Sequence, residues 1–276
     1  MTKTCSELFQ GMDCTIIGNG NEEVAGLAFR SDEVAPGDMF FCIVGTVVDG
    51  HSFAQDAIDR GATSLVAERK VYLADATDVT EVVVSDSRKA MAYASANYYD
   101  NPSRAFSLVG ITGTNGKTTT TYLVEHIASV AGNRCGVIGT VGNKIAGVME
   151  HAERTTPESP DLQKLFARMR DAGCTVVAME VSSHALDLRR TWDTDFAVTA
   201  FTNLTQDHLD YHHTFDDYFE AKALLFSKDY PARRVISIDG SWGRELLRRC
   251  TVAGDEVIPT GFDVSAQIHP VEVTYE

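Results

Sequence analysis

With 276 residues, the chain is long enough for one large or two ordinary domains, each burying its own core. At 44% hydrophobic and 23% charged it lies in the globular range, and 24 basic against 39 acidic residues, a formal charge of −15, argue against a nucleic-acid-binding surface. Met1 to Gln10 lack the apolar stretch of a signal peptide, and no run approaches the ~18 apolar residues that span a bilayer, so a cytoplasmic protein without membrane insertion is expected. Cys5, Cys14, Cys42, Cys135, Cys174 and Cys250 are scattered with no Cys-x-x-Cys pair, which favours buried free thiols in a reducing compartment.

In chain order, the first hundred residues alternate short β-like runs (39–44, 64–67, 81–84) with helical stretches. Phe53, Ala57 and Ile58 recur at helical spacing in 52–60, and 89–99 forms a second helix candidate. Asp100-Asn-Pro-Ser103 then ends the pattern with a polar cluster and a proline, which sets a domain boundary near 101–105. From there a βα series follows: strand 105–112, helix 117–131, strand 134–141, helix 160–171, strands 175–181 and 196–202, helix 215–227 and strand 234–238. Strands such as Thr175-Val-Val-Ala-Met179 are continuously apolar, as in a parallel sheet covered on both faces. The expected fold is α/β: a small N-terminal α/β domain over 1–104, then a doubly wound, mostly parallel domain over 105–276. Ligands of such sheets sit at the carboxyl ends of the strands.

Between strand 105–112 and a helix carrying Leu123, Ile127 and Val130 on one face lies Gly110-Ile-Thr-Gly-Thr-Asn-Gly-Lys-Thr-Thr-Thr120. Strand, glycine-rich turn, lysine, hydroxyl and helix are the parts of a P-loop. Backbone N–H groups and the positive helix end hold phosphates, Lys117 reaches the β/γ oxygens, and Thr118 offers a hydroxyl to Mg²⁺. The strict spacing asks for glycine where Ile111 stands, so Gly110 and Gly113 are expected to make the turn. Binding of a nucleoside triphosphate follows, with a plain glycine-rich turn as the competing account.

Three further segments carry chemistry. Glu180 closes the apolar strand 175–181 and is placed to ligate Mg²⁺, or else to cap a helix or pair in a salt bridge. Ser182 and His184 beside it would suit a hydrolase, but the Gly-x-Ser-x-Gly elbow is missing. His208 and His212 stand four apart, which raises a zinc reading, although a histidine beside phosphates or magnesium suits a P-loop better. On helix 215–227, Lys222 falls on one stripe with Phe215, Phe219 and Phe226, opposite Asp216, Asp217, Glu220 and Ser227. A lysine there either snorkels to water or is neutralised or modified, for example carbamylated into a carboxylate-like metal ligand. The hydroxyls of Thr155-Thr-Pro-Glu-Ser159 either bind a substrate or cap the helix that follows.

Together, Gly113-Thr-Asn-Gly-Lys-Thr-Thr119, Thr155-Thr-Pro157, Met179-Glu-Val-Ser-Ser-His184, Phe201-Thr-Asn-Leu204, Asp207-His-Leu-Asp-Tyr-His212 and Glu220-Ala-Lys222, with Pro36-Gly-Asp38 and Asp49-Gly-His-Ser-Phe53, resemble the Mur ligases over essentially the whole chain. The match is to the branch that adds the third amino acid of the peptidoglycan precursor. The resemblance implies ATP binding by Gly113, Thr114, Asn115, Gly116, Lys117, Thr118 and Thr119. It assigns magnesium to Thr118, Glu180, His208 and a carbamylated Lys222, and catalysis to Lys117, Lys222 and His208. It gives the UDP-linked substrate to Ser31, Thr46, Val47, Val48, Thr155, Thr156, Ser182 and Arg190. Expected small-molecule partners are UDP-N-acetylmuramoyl-dipeptide and an amino acid, on a monomer. Arg30-Ser31-Asp32 inverts the family's Asp-Ser-Arg, and Leu188 replaces a substrate-contacting glutamine. The family's C-terminal amino-acid-binding domain is expected to be absent and the central domain incomplete.

The implied reaction is ATP-dependent amide ligation through an acyl phosphate. Competing readings are a folylpolyglutamate-synthase-like ligase, a catalytically silent nucleotide-binding module, and a P-loop GTPase or kinase. The Asp49-Gly-His-Ser-Phe53 region ahead of the P-loop argues against the first. The lack of Asn-Lys-x-Asp and of a kinase lid argues against the last.

Overall fold

The computed structural model describes residues 2–45, 48–71, 78–207 and 209–272; three predicted site residues, Thr46, Val47 and His208, lie outside the described residues. The chain forms two compact units, one of Met1–Asn101 with Ser159–Lys164 and one of Pro102–Glu158 with Leu165–Glu276.

In the first unit β1 (Lys3–Thr4) leads into α1 (Cys5–Leu8) and pairs with β3 (Glu23–Val24). A five-stranded sheet takes the order β2-β7-β6-β5-β4, from β2 (Thr15–Ile17), β4 (Gly26–Ala28), β5 (Asp38–Phe41), β6 (Ser64–Ala67) and β7 (Thr80–Val83). Its strands run parallel except β2. Successive side chains point to opposite faces, which explains the continuous apolar runs. Met39, Phe41 and Val66 join Leu8 and Met91 on the side of α1 and α3 (Ser87–Tyr98). Phe40, Cys42 and Leu65 join Ala54 and Ala57 of α2 (Ala54–Asp59) on the other.

The second unit is an eight-stranded sheet. Its elements are β8 (Ser107–Thr112), α4 (Lys117–Val130), β9 (Cys135–Gly139), β10 (Gly142–Ile145), β11 (Val148–Glu150), the part from Leu165 onward of α5 (Ser159–Asp171), β12 (Val176–Glu180), α6 (Ser183–Asp187), β13 (Val198–Phe201), α7 (Leu209–His212), α8 (Phe215–Ala223), β14 (Arg233–Ser237), α9 (Ser241–Ala253) and β15 (Val257–Thr260). The order β11-β10-β9-β12-β8-β13-β14-β15 is parallel from β9 to β15. Excursions from β8 go first to β9 and β12 on one side and then to β13 on the other. A switch point therefore opens between the carboxyl ends of β8 and β13.

The doubly wound, mostly parallel fold was legible in the strand runs, but several details differ. The expected strand 134–141 stops at Gly139 and folds back through Thr140 and Val141 as the antiparallel hairpin β9–β10. The next turn, Ala146-Gly147, has positive φ at both residues (49° and 94°), the geometry of a tight hairpin that an alanine does not announce. Helix 215–227 loosens after Ala223 into a 3₁₀ turn, Leu224–Phe226. Gly110 makes no turn: it lies inside β8, where a Cβ would sit 2.5 Å from the Phe196 ring. All six cysteines are free thiols, five of them buried.

Candidate functional site

β8 delivers the chain at Thr112 into the loop Gly113–Gly116, and α4 begins at Lys117. Gly113 (φ 143°) and Gly116 (φ 84°) take the left-handed region, and a Cβ on Gly113 would lie 1.9 Å from Thr202 Oγ1. Gly116 caps α4 without a side chain. The first-turn N–H groups, which no helical carbonyl can reach, are thus left as donors for an anion at the positive helix end.

The loop is braced from the far side of the switch point. Asn115 N–H donates to Asn203 Oδ1 (3.0 Å), Thr205 N–H to Thr114 Oγ1 (2.9 Å), and Thr202 Oγ1 to the Asn115 carbonyl (2.7 Å). Tyr218 of α8 adds a hydroxyl contact to Thr114 at 3.2 Å. Asn203 stands in the Phe201-Thr-Asn-Leu204 motif, but the sequence assigned neither it nor Thr205 this bracing role.

Two lysines converge on one carbonyl. Lys117 Nζ donates to the Gly113 and Thr114 carbonyls, both at 2.9 Å, and Lys222 Nζ donates to the Gly113 carbonyl at 3.0 Å. Lys222 is 1% exposed and sits 4.4 Å from the centre of the Tyr218 ring. Burial, and then the charge of Lys117, pull its pKa down to about 7 against the opposing pull of Asp207. Burial likewise lowers Lys117, opposed by Glu180 and Asp207. The snorkelling alternative for Lys222 is excluded by this geometry. The expected stripe is also shifted, since Tyr218, Phe219, Ala221, Lys222, Leu225 and Phe226 are buried while Phe215 is exposed.

Glu180, 1% exposed, ends β12 beside the P-loop and accepts the Thr118 hydroxyl at 2.9 Å on Oε1. Thr118 and Glu180 supply hard oxygen donors side by side, a set that suits magnesium. Lys222 fits a cation only as a carbamate, because an ammonium would repel it. Among the described residues no three His, Cys, Asp or Glu gather as a metal cluster, and His212 Nε2 is engaged 2.9 Å from Ser183 Oγ.

The loop before α5 is tied to the same strand end. Thr156 Oγ1 donates to the Glu180 carbonyl (2.9 Å) and accepts the Ser182 N–H (3.1 Å), while Ser182 Oγ caps α6 by accepting the Ala185 N–H. Arg190 is buried, paired with Glu158 at 2.8 Å and donating to the Thr156 carbonyl at 3.1 Å. The His184 ring packs against Tyr211, centroid to centroid 4.1 Å and tilted by 40°, while Ser182 serves as the cap of α6. Residues Gly113–Thr119, Glu180, Lys222, Thr155, Thr156, Ser182 and Arg190 thus all belong to the second unit, around the carboxyl ends of β8 and β12.

Ser31 and Val48 belong to the first unit, where with Phe29, Phe40, Ile43 and Phe53 they line a pocket of about 440 Å³. The inverted Arg30-Ser31-Asp32 order closes on itself: Arg30 pairs with Asp32 at 2.9 Å and with Glu33 at 3.2 Å.

A braced glycine loop at the switch point of a doubly wound sheet, with a lysine, a hydroxyl and a buried carboxylate around it, defines a P-loop α/β protein. The chain belongs to the Mur ligase family. Residues 111–276 match the Mur ligase middle domain and residues 23–111 match "Mur ligase family, catalytic domain". It is 43% identical over 243 residues to the UDP-N-acetylmuramoyl-L-alanyl-D-glutamate–2,6-diaminopimelate ligase of Clostridium botulinum, covering 88% of this chain and 50% of that protein. With the Geobacillus thermodenitrificans protein of the same name it shares 50% identity over 209 residues, 76% of this chain and 42% of that one. A solved structure of a ligase of that name superposes with a TM-score of 0.80 at 25% identity, covering 96% of this chain and 54% of the other. The chain spans about half the length of these relatives.

Proposed function

We propose that this chain carries the nucleotide site and the UDP-sugar site of an ATP-dependent ligase that joins an amino acid to UDP-N-acetylmuramoyl-L-alanyl-D-glutamate, in the cytoplasm. Diaminopimelate is the third amino acid in the names of the relatives. The observation that carries the reading is the meeting of Lys117, Thr118, Glu180 and a buried Lys222 around one phosphate-binding loop. A substrate carboxylate attacks the γ-phosphorus of ATP, giving an acyl phosphate and ADP; the incoming amine then attacks the acyl carbon and phosphate leaves. Lys117 and the first-turn N–H groups of α4 offset the charge on the transferring group. Thr118 and Glu180 would hold magnesium, which when bound supplies further charge neutralisation. Lys222, with a pKa near 7, has a large neutral fraction at physiological pH, and only the neutral amine adds CO₂. The carbamate so formed would turn a cation that repels metal into an anion that binds it. His208 completes this set by family resemblance. Thr155, Thr156, Ser182 and Arg190 are assigned to the UDP-linked substrate, and by the same family resemblance its uridine is assigned to Ser31, Thr46, Val47 and Val48.

Titration of the purified chain with MgATP and with UDP-N-acetylmuramoyl-dipeptide tests this directly. Binding of both is expected, and binding of neither would overturn the reading. Turnover with diaminopimelate or lysine separates an active ligase from a silent binding module. Incubation with ¹³C-bicarbonate should give a carbamate resonance that grows as pH rises through about 7 and is missing in Lys222→Ala.

A further inference from the structure

Glu180 is gripped from a side that no motif announces. β9 ends at Gly139 and turns through Thr140 and Val141 into β10, a two-residue hairpin that fixes the backbone of both. One step beyond the Ile138–Met179 pair of the parallel ladder, Glu180 reaches across Gly139, where a Cβ would stand 2.3 Å from Oε1. A side chain there would push the carboxylate out of this position. Thr140 then holds the carboxylate twice: its N–H donates to Oε1 at 2.9 Å and its hydroxyl to Oε2 at 3.1 Å.

The Thr140 hydroxyl also lies 3.0 Å from Thr155 Oγ1. A hydroxyl has one proton, and that of Thr140 is committed to Glu180, so Thr155 must be the donor in this pair. The chain of bonds therefore runs one way, from the loop at 154–158 through Thr140 to the carboxylate that also receives Thr118. With its own proton turned inward, Thr155 offers only lone pairs to anything bound at the site.

The geometry points to Thr140 as a positioning residue that couples the Glu180 carboxylate to the substrate loop and sets Thr155 as an acceptor for an amide N–H of a peptide-bearing substrate. The identity of the two ligands rests on the ligase reading above; the coupling rests on Thr140 itself. Removing a group that orients a metal-binding carboxylate costs about 10–100-fold in metal-dependent binding. The test is calorimetric titration of the 276-residue chain and its variants with ADP plus magnesium, with ADP plus EDTA, and with UDP-N-acetylmuramoyl-dipeptide. Thr140→Val should leave ADP–EDTA binding within about twofold, lose about tenfold of the gain that magnesium brings, and weaken the dipeptide ligand as well. Thr140→Ser should restore both, which a purely architectural role for the branched side chain would not allow. Thr155→Val should weaken only the UDP-linked ligand. Thr140→Ala, which keeps the backbone bond, is read alongside in case valine disturbs the hairpin. Valine and alanine variants that match the parent in every titration would overturn the coupling alone. A parent chain that binds neither ligand would overturn the ligase reading, and the role of Thr140 with it.

Discussion

Helices α4 and α8 sit at the same loop and treat apolar residues in opposite ways. On α8 a lysine is buried to 1% exposure among Tyr218, Phe219 and Leu225. On α4, Leu123, Ile127 and Val130 form a stripe that faces solvent, with Ile127 66% exposed. At 100° per residue, Thr121 and Ala128 lie roughly opposite that stripe, with Val124 about a quarter turn from it. That smaller face is the one α4 turns toward β9 and β12, and Thr121 is its buried residue. A P-loop helix must point its first turn at the anion, and its axis is set by the loop. Its packing face is whichever side the sheet then meets. Helix α8 is anchored through Tyr218 and the aromatic residues around it, and carries Lys222 inward with them. Apolar periodicity therefore reports which residues share a face, and the loop geometry decides whether that face meets protein or water.

Substitutions on the two helices measure this contrast. Phe219→Ala should cost about 3–5 kcal/mol in chemical denaturation, because Phe219 is buried and stacks on Trp242 at 4.7 Å. Lys222→Met should act in the other direction, raising stability by roughly 1–3 kcal/mol at pH 6–7 in CO₂-free buffer. The sign follows from linkage: folding lowers the lysine from 10.5 to about 7, so the penalty is complete below about 7 and fades as pH climbs toward 10.5. The advantage of the methionine variant should shrink over that same window; a pH-independent difference would show that Lys222 is not desolvated.

Lys144→Ala should cost roughly 0.2–1 kcal/mol, since the Lys144–Glu125 pair at 2.9 Å ties α4 to β10 near the surface. Smallest of all, Ile127→Lys should stay within about 0.5 kcal/mol of the parent. A loss of several kcal/mol there would mean that the stripe is buried in solution, and the contrast between the two helices would collapse.

Much of the architecture was readable because its signals are local. Continuously apolar strands, the Gly-Lys-Thr turn and the proline after Asn101 each act over a few residues, and they marked the parallel sheet and the start of α4. The hairpin β10–β11 escaped because its strands are short and mixed in polarity, and its turn begins with alanine. Helix α9 escaped because Ser241 to Ala253 followed the last strong strand with no motif to draw attention. At the site, Lys117 and Glu180 stood out by type and spacing. Gly139 and Thr140 did not, because a glycine and a threonine at a strand end have meaning only when a neighbouring carboxylate reaches over them.

Chain order alone determined that a P-loop follows β8, that Glu180 closes β12, and that Lys222 shares a stripe with phenylalanines, since each depends on spacing along one element. Tertiary structure alone decided that Lys117 and Lys222 meet at the Gly113 carbonyl, that Thr140 holds Glu180, and that the stripe of α4 faces water. Those outcomes come from residues up to 109 positions apart. Their desolvation and pairing energies exist only once the strands are laid side by side.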